Sequence, residues 1–329
     1  REYDVWDRLT KLSYPDGEAV SYSYDANSGL LESLRGTQGA QAISYVQNID
    51  YNAQGQMRAI SYGNGASTAY TYGQDLRLSR ILTSTSASTL QDLNYIFDQN
   101  GNLSTLTDNL RSNIRGYTYD DLDRLTQADN VPDPQGGYTT FSYQYDSIGN
   151  MIYKSDLGVM SYGLAAGPHA LTSAGGYNYQ YDANGNMVSG KNKAMRYDIE
   201  NRLISVDYGL STESYVYDGD GGRVRKSATT YIGSLYEVDL DGTLRKHIFA
   251  GANRIATVSS RGEAETISYY HSDHLGSSNI ITDSSGAQVQ YCEYTPYGTT
   301  ARNEGTDLVK HKFTGKELDS AGLYFYGAR

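Results

Sequence analysis

The 329-residue sequence is poor in several residue types that define common classes of protein. Its single cysteine, Cys292, cannot form an internal disulfide, which excludes a disulfide-stapled domain and a cysteine-based zinc site. No run approaches 18 consecutive apolar residues, so a transmembrane helix is not expected. The chain has 5 prolines and 20% charged residues, and this composition differs from that of a disordered chain.

Positive charge is also scarce. The 27 Lys and Arg residues stand against 38 Asp and Glu, which gives a formal net charge of −11. This balance disfavours a nucleic-acid-binding surface, because the phosphate backbone is held by Lys and Arg. No basic and then apolar leader precedes Arg1, and the chain opens in mid-pattern, as expected of an excised fragment.

Phenylalanine and tryptophan are rare, with 5 and 1 residues, whereas tyrosine is abundant with 33 and glycine with 35. Aliphatic residues alone are too few for a conventional core in a chain of this length. Tyrosine can form a core, but each buried hydroxyl then needs a hydrogen-bond partner. The tyrosine excess therefore calls for a structure that supplies such partners repeatedly.

A repeated unit contains many of these tyrosines. It consists of an aromatic residue, Asp, two variable residues, a Gly-like residue, a polar or basic residue and an apolar residue. About ten copies occur, and the weaker ones begin at Tyr24, Tyr51, Tyr72 and Tyr217. The repeat-defining residues are Tyr3, Asp4, Phe97, Asp98, Gly101, Tyr119, Asp120, Tyr145, Asp146, Gly149, Tyr181, Asp182, Gly185, Tyr197, Asp198, Tyr217 and Asp218.

Each unit is predicted to form a β-hairpin. Alternating strand residues lead into an Asp that can accept backbone N–H groups and close a turn. The Gly-like position suits a residue with positive φ, and its substitutes Asp7, Asp123 and Asn201 are types that tolerate that conformation. We therefore expect an all-β fold of consecutive hairpins in a long, curved antiparallel sheet, with short helical turns only near 200–206 and 318–326.

The pattern changes near residue 231, which predicts a repeat array at 1–230 and a closing module at 231–329. The closing module contains Tyr-Tyr-His-Ser-Asp-His-Leu-Gly-Ser from 269, Phe-Thr-Gly-Lys-Glu from 313 and Gly-Leu-Tyr-Phe-Tyr-Gly-Ala-Arg from 322. With the repeats, this series resembles the RHS (rearrangement hot spot) or YD-repeat family and its repeat-associated core domain. The core-motif residues are Tyr270, His271, Asp273, His274, Gly276, Gly315, Gly322 and Arg329.

The resemblance implies a non-catalytic segment of a β-shell that encapsulates a C-terminal toxin domain in bacterial competition or virulence. Family members include polymorphic toxins and the C components of insecticidal toxin complexes. The resemblance also implies a secreted, injected or cell-surface protein, a toxin domain beyond the chain, and a secretion-system component or immunity protein as further partners. The family's aspartyl self-cleavage residues would lie beyond Arg329, so no enzyme activity is expected.

The alternative is an extracellular module that binds carbohydrate or protein in adhesion, as in teneurins. A continuous ladder of buried tyrosine rings would favour the shell, and a cluster of solvent-facing rings would favour binding. No catalytic, cofactor or metal residues are predicted. His271 and His274 are interpreted as packing residues, Asp-rich turns such as Asp218–Asp220 as capped hairpins, and Cys292 as a small buried residue.

The size of the predicted sheet limits what this chain can enclose. Ten hairpins give about 20 strands, which would close into a ring about 30 Å across. A folded toxin of about 100 residues has a similar diameter before side chains narrow the interior. Either the cargo is kept unfolded, or further upstream repeats or a partner subunit complete the shell. We favour further upstream repeats.

Overall fold

The structure is a computed structural model that describes residues 1–163, 166–306 and 309–327. Its elements are almost all β-strands, and a short 3₁₀ turn at Phe313–Gly315 interrupts the last part of the chain. Each strand pairs in antiparallel fashion with the next strand along the sequence within two large sheets of 17 and 14 strands. The predicted all-β fold of consecutive hairpins is thus confirmed.

The first sheet contains the repeats up to residue 178. Its strands are β1 (Glu2–Tyr3), β2 (Leu9–Ser13), β3 (Ala19–Tyr24), β4 (Leu31–Gln38), β5 (Gln41–Tyr51), β6 (Met57–Tyr62), β7 (Ser67–Tyr72), β8 (Leu78–Ser84), β9 (Thr89–Phe97), β10 (Leu103–Asp108), β11 (Asn113–Tyr119), β12 (Leu125–Pro132), β13 (Tyr138–Tyr145), β14 (Met151–Lys154), β15 (Gly158–Tyr162), β16 (Leu171–Ala174) and β17 (Tyr177–Asn178).

The second sheet contains the remaining repeats and most of the closing module, and a small hairpin follows it. The strands are β18 (Gln180–Tyr181), β19 (Met187–Gly190), β20 (Lys193–Tyr197), β21 (Leu203–Tyr208), β22 (Ser211–Tyr217), β23 (Arg223–Lys226), β24 (Thr229–Ile232), β25 (Tyr236–Val238), β26 (Leu244–Ala250), β27 (Asn253–Arg261), β28 (Ala264–Ser272), β29 (Ser278–Thr282), β30 (Gln288–Tyr294), β31 (Thr300–Gly305), β32 (Glu317–Leu318) and β33 (Tyr324–Phe325).

The structure has more strands than the expected number of about 20, because the Asp turn continues through the closing module. Asp239, Asp273, Asp283 and Asp319 each accept a backbone N–H from a glycine three residues later. The residue before each Asp is not aromatic, so the sequence pattern did not reveal these copies. Strand pairing runs without interruption through residue 231, and the division there stays a prediction.

The expected short helical turns are not formed. Residues 203–206 belong to β21, and the three residues before them complete the turn that begins at Asp198. Residues 318–326 include β32 and β33, which pair with each other. In both places the Asp-capped turn determines the local structure, because it satisfies backbone groups that a single helical turn would leave without partners.

The turn at Asp146 shows how each hairpin is closed. Asp146 Oδ1 accepts the backbone N–H groups of Ile148 at 3.0 Å and Asn150 at 2.8 Å. Gly149 has a φ of 93°, and where glycine is absent Asp123 adopts a φ of 58°. These angles lie in the left-handed region that most L-residues avoid at a cost of about 1–2 kcal/mol. The Gly-like position is therefore set by backbone conformation.

The two large sheets pack face to face. Leu34 and Ile60 of the first sheet lie in one buried cluster with Ile248, Val258 and Tyr269 of the second. Alternate residues along the strands of this cluster point to the shared face, as the two-residue period of a strand requires. The second sheet therefore covers one face of the first and occupies the space next to it.

Replacing Gly149 by Ala tests the requirement for positive φ at the turn. A methyl group at Gly149 meets no atom within 4 Å, so any loss of stability must come from backbone strain. We expect Gly149→Ala to lower the free energy of unfolding by about 1–2 kcal/mol, measured by urea titration. Gly219 is the matched control, because it also has open space but no positive φ. Equal effects of Gly149→Ala and Gly219→Ala would contradict this account.

Candidate functional site

The tyrosine before each turn ties its hairpin to the preceding one. Tyr119 Oη donates a hydrogen bond to the carbonyl of Leu103 at 2.9 Å, and Tyr145 Oη donates to the carbonyl of Leu125 at 2.9 Å. Each acceptor is the residue that follows the preceding turn. The same bond joins Tyr24 to Leu9, Tyr51 to Leu31, Tyr72 to Met57, Tyr162 to Met151, Tyr181 to Leu171, Tyr197 to Met187, Tyr217 to Leu203 and Tyr294 to Ser278. We name this series the tyrosine ladder.

The rings of the tyrosine ladder are half-buried or buried, as a ladder within a wall requires. Burial raises the pKa of Tyr119 to about 12, so its hydroxyl stays protonated and able to donate. Tyr3 is half exposed, and its hydroxyl makes no ladder bond among the described residues. This arrangement favours the shell interpretation over a solvent-facing binding platform.

A second contact links successive turns through the residue before the apolar position. Arg124 Nε donates to Asp120 Oδ2 at 2.8 Å within its own turn, and Arg124 Nη1 donates to the carbonyl of Asp146 in the next turn at 3.1 Å. Its guanidinium carbon also lies 4.7 Å from the ring centre of Tyr145. The hydrogen bond from Arg124 lowers the pKa of Asp120. Arg202 makes the same pair of contacts, and Arg8 makes the contact within its own turn and donates to the carbonyl of Gly29 in the next turn.

Replacing Tyr119 by Phe removes one bond of the tyrosine ladder. The carbonyl of Leu103 loses its tyrosine partner, so we expect the free energy of unfolding to fall by about 1 kcal/mol in urea titration. Phe97 is the reverse test, because it occupies a ladder position without a hydroxyl, and Phe97→Tyr should maintain or raise stability. Tyr3→Phe is the control and should have no effect. A loss from Tyr3→Phe as large as that from Tyr119→Phe would refute the ladder.

A second set of tyrosines lies two residues before the ladder positions and faces the same side. Tyr95 and Tyr143 are almost completely buried. Tyr95 contacts the ring of His274 at a centroid distance of 4.7 Å, and Tyr143 contacts Tyr297 at 5.0 Å. Side chains of the closing module therefore pack against tyrosines of the repeats.

The structure places His271 and His274 against different tyrosines. The ring of His271 lies 4.6 Å from that of Tyr62 between centroids, and its Nε2 is 2.9 Å from Thr282 Oγ1. Burial lowers the pKa of His271 to about 3, so its imidazole is neutral at physiological pH. The geometry agrees with a packing role for both histidines.

The remaining core-motif residues serve turns and packing. Asp273 Oδ1 accepts the backbone N–H groups of Leu275 and Ser277, and Gly276 supplies the positive φ of that turn. Tyr270 Oη accepts a hydrogen bond from Thr257. Gly315 and Gly322 also have positive φ. Arg329 lies outside the described residues.

Titration of His271 predicts a pH dependence of stability. The unfolded chain protonates this imidazole near pH 6.5, but the folded protein does so only near pH 3. The unfolded state therefore binds more protons between these values, and stability falls as pH falls, by about 1.4 kcal/mol per pH unit. His271→Gln should reduce the slope of the free energy of unfolding against pH between pH 6 and 5 by about 1.4 kcal/mol per pH unit. An unchanged slope in His271→Gln would contradict this account.

A buried ionic network fixes the end of the closing module. Arg223 Nη1 lies 2.8 Å from Asp319 Oδ2, and Lys226 Nζ lies 2.9 Å from Asp319 Oδ1. Glu317 pairs with both cations and accepts a hydrogen bond from Tyr231 at 2.9 Å. Removing one partner from such a network leaves an uncompensated buried charge and typically costs about 3–5 kcal/mol.

Two further buried ion pairs join the second sheet to the first. Lys246 pairs with Glu18, and Arg115 pairs with Glu293. Each partner is less than a tenth exposed. Their desolvation offsets much of their attraction, so we expect them to determine the register of the two sheets more than the net stability.

The cavities that we describe are small compared with a folded toxin domain. One cavity of about 730 Å³ is lined by Arg223, Tyr231, Arg254, His311 and Phe325. A folded domain of about 100 residues has a radius of gyration near 13 Å, which corresponds to a sphere of roughly 20,000 Å³. This cavity is therefore far too small to hold such a domain.

Sequence reasoning missed one group of residues. Ligand atoms of Glu237, His247 and His311 lie within 4.8 Å of one another. His311 is far from the other two in sequence, so no local spacing reveals the group. Pairing of β25 with β26, which places Glu237 and His247 on one face, is the signal that could have found the first two.

No described helix is long and apolar enough to cross a membrane. The fold and the tyrosine ladder together define a wall made of YD-repeat hairpins. A family model of the teneurin YD-shell matches residues 89–319, and a model of the RHS repeat matches residues 3–41. The chain belongs to the teneurin YD-shell family, which confirms the RHS and YD-repeat resemblance.

Curated relatives include toxin subunits of Yersinia entomophaga and a nuclease of Bacillus spizizenii. The toxin subunit YenC1 of Yersinia entomophaga is 26% identical over 404 aligned residues, covering 95% of this chain and 41% of that protein. The tRNA3(Ser)-specific nuclease WapA of Bacillus spizizenii is 24% identical, covering 98% of this chain and 14% of that protein. The chain thus spans less than half the length of these relatives.

Solved structures share the fold. The crystal structure of TcdB2-TccC3 superimposes with a TM-score of 0.82 at 22% identity, covering 100% of this chain and 20% of that one. The Photorhabdus luminescens Tc holotoxin pore structure gives a TM-score of 0.75 at 20% identity, covering 100% of this chain and 19% of that one. The shell architecture expected from the sequence is therefore confirmed as a fold.

Proposed function

We propose that this chain is a non-catalytic wall segment of an RHS-type shell that encloses a toxin domain carried C-terminal to it. The observation that carries the proposal is the tyrosine ladder, which links successive hairpins along the chain through bonds from side chain to backbone. Such a wall can lengthen by adding hairpins, because each new one needs only its predecessor to satisfy its hydroxyl.

Relatives named as toxin subunits support the toxin part of this proposal.

In this proposal the repeats at 1–230 form the wall and residues 231–329 form the closing module that seats against it. Upstream repeats or a partner subunit complete the enclosure, because the described cavities are far too small for folded cargo. The protein acts after it is secreted or injected, in competition between bacteria or in virulence. The half-buried tyrosine ladder gives the adhesion alternative less support.

Protease protection of the polypeptide that the natural reading frame encodes after residue 329 tests the proposal. In the folded protein this segment should resist a protease that rapidly cuts it in denatured protein. Cleavage is followed by mass spectrometry. Glu317→Gln should remove this protection, because Arg223 and Lys226 lose a carboxylate partner. This loss should lower the free energy of unfolding by about 3–5 kcal/mol.

Arg196→Gln is the matched control. Arg196 pairs with Asp207 at 3.4 Å on the surface, where an ion pair contributes less than about 1 kcal/mol. Protection should persist in that variant. Equal cleavage rates before and after denaturation of the unaltered protein would contradict encapsulation.

A further inference from the structure

A diagonal row of polar side chains crosses four strands of the second sheet. Glu237 lies on β25, His247 on β26, Thr257 on β27 and Tyr270 on β28. Glu237 stands opposite Arg245, two residues before His247, and His247 stands opposite Thr257. Because residues two apart on a strand share a face, the strand register brings the row together.

Contacts along this row hold the imidazole of His247 in one orientation. His247 Nε2 lies 2.9 Å from Glu237 Oε1, and His247 Nδ1 lies 2.9 Å from Thr257 Oγ1. Thr257 in turn donates to Tyr270 Oη at 3.0 Å. Glu237 and His247 are 2% and 3% exposed, so this arrangement is built into the interior.

A distant segment places a second imidazole over the row. Ser278 Oγ donates to the backbone carbonyl of His311 at 2.7 Å and anchors the segment. The rings of His247 and His311 lie 5.1 Å apart between centroids, with an angle of 75° between their planes. Ligand atoms of Glu237, His247 and His311 all lie within 4.8 Å of one another.

We propose that Glu237, His247 and His311 bind one divalent transition-metal ion, with Zn²⁺ as the best match. Two imidazole nitrogens and one carboxylate oxygen form a ligand set that proteins use for zinc with a fourth position left open. The hydrogen bond from His247 to Thr257 supplies the outer partner that orients a metal-bound histidine.

The fourth coordination position would face the 730 Å³ cavity, which Glu237 and His311 both line. Arg254 also lines this cavity, and its buried Nε and Nη1 have no hydrogen-bond partner among the described residues. Lys310 Nζ lies 3.2 Å from the other carboxylate oxygen of Glu237. These cations favour an anionic fourth ligand, such as hydroxide or a carboxylate, because they offset its charge.

Such an ion would cross-link the segment that carries His311 to β25 and β26. The site is independent of the proposed encapsulation, because it concerns only how the closing module is held. Its loss would loosen that segment without altering the tyrosine ladder.

Metal titration of the 329-residue chain tests the site. After treatment with a chelator and its removal, calorimetry with ZnCl₂ should show one saturable site per chain, and Co²⁺ should give the intense visible absorption of a four-coordinate ion. His311→Ala and Glu237→Gln should each abolish this binding in protein that retains its β-sheet circular dichroism. Thr257→Val should weaken binding about 10- to 100-fold, because it removes only the outer partner.

His169→Ala is the control, because its imidazole contacts Asn150 at a separate turn and should leave binding unchanged. Absence of saturable Zn²⁺ binding to the unaltered chain would overturn the proposal. So would binding that survives both His311→Ala and Glu237→Gln. Should either variant fail to fold, the Co²⁺ spectrum of the unaltered chain decides, since weak absorption typical of six-coordinate ions also overturns it.

Discussion

The hydrogen bond from a tyrosine hydroxyl to the carbonyl of the preceding hairpin is the constraint on which the rest of this structure depends. A long sheet of hairpins gains little stability from contacts within each hairpin, because an isolated two-stranded hairpin is only marginally stable in water. The tyrosine ladder gives each hairpin that carries a ladder tyrosine a fixed partner one hairpin earlier. It also explains why tyrosine replaces phenylalanine: a ring without a hydroxyl would pack equally well but would leave the carbonyl without this partner.

The Asp-capped turn is the second requirement, and it is independent of the first. Asp273 and Asp283 close the same turn in the closing module although no aromatic residue precedes them. Tyrosine is therefore needed for contact between hairpins and Asp for closure within one. This separation explains why the repeat fades in sequence near residue 231 while the hairpins continue.

Much of the fold could be predicted from sequence because its signals are local. The spacing from Asp146 to Gly149 specifies a turn, and alternation before it specifies a strand. The packing of the second sheet on the first could not be predicted, because it depends on pairs such as Lys246 with Glu18 that lie far apart in the chain. The same limit hid the group of Glu237, His247 and His311, which only the register of β25 and β26 and the path of a later segment bring together.

The interface between the two sheets also accounts for the composition. Buried tyrosines, histidines and ion pairs take places that aliphatic residues would fill in an ordinary sandwich. Apolar contacts tolerate sliding between sheets, whereas a buried charge such as Lys246, which pairs with Glu18, is satisfied in only one position. A wall built from repeats offers a closing module many similar positions at which to pack. Polar contacts that can form at only one of these positions are the means by which the chain selects that position.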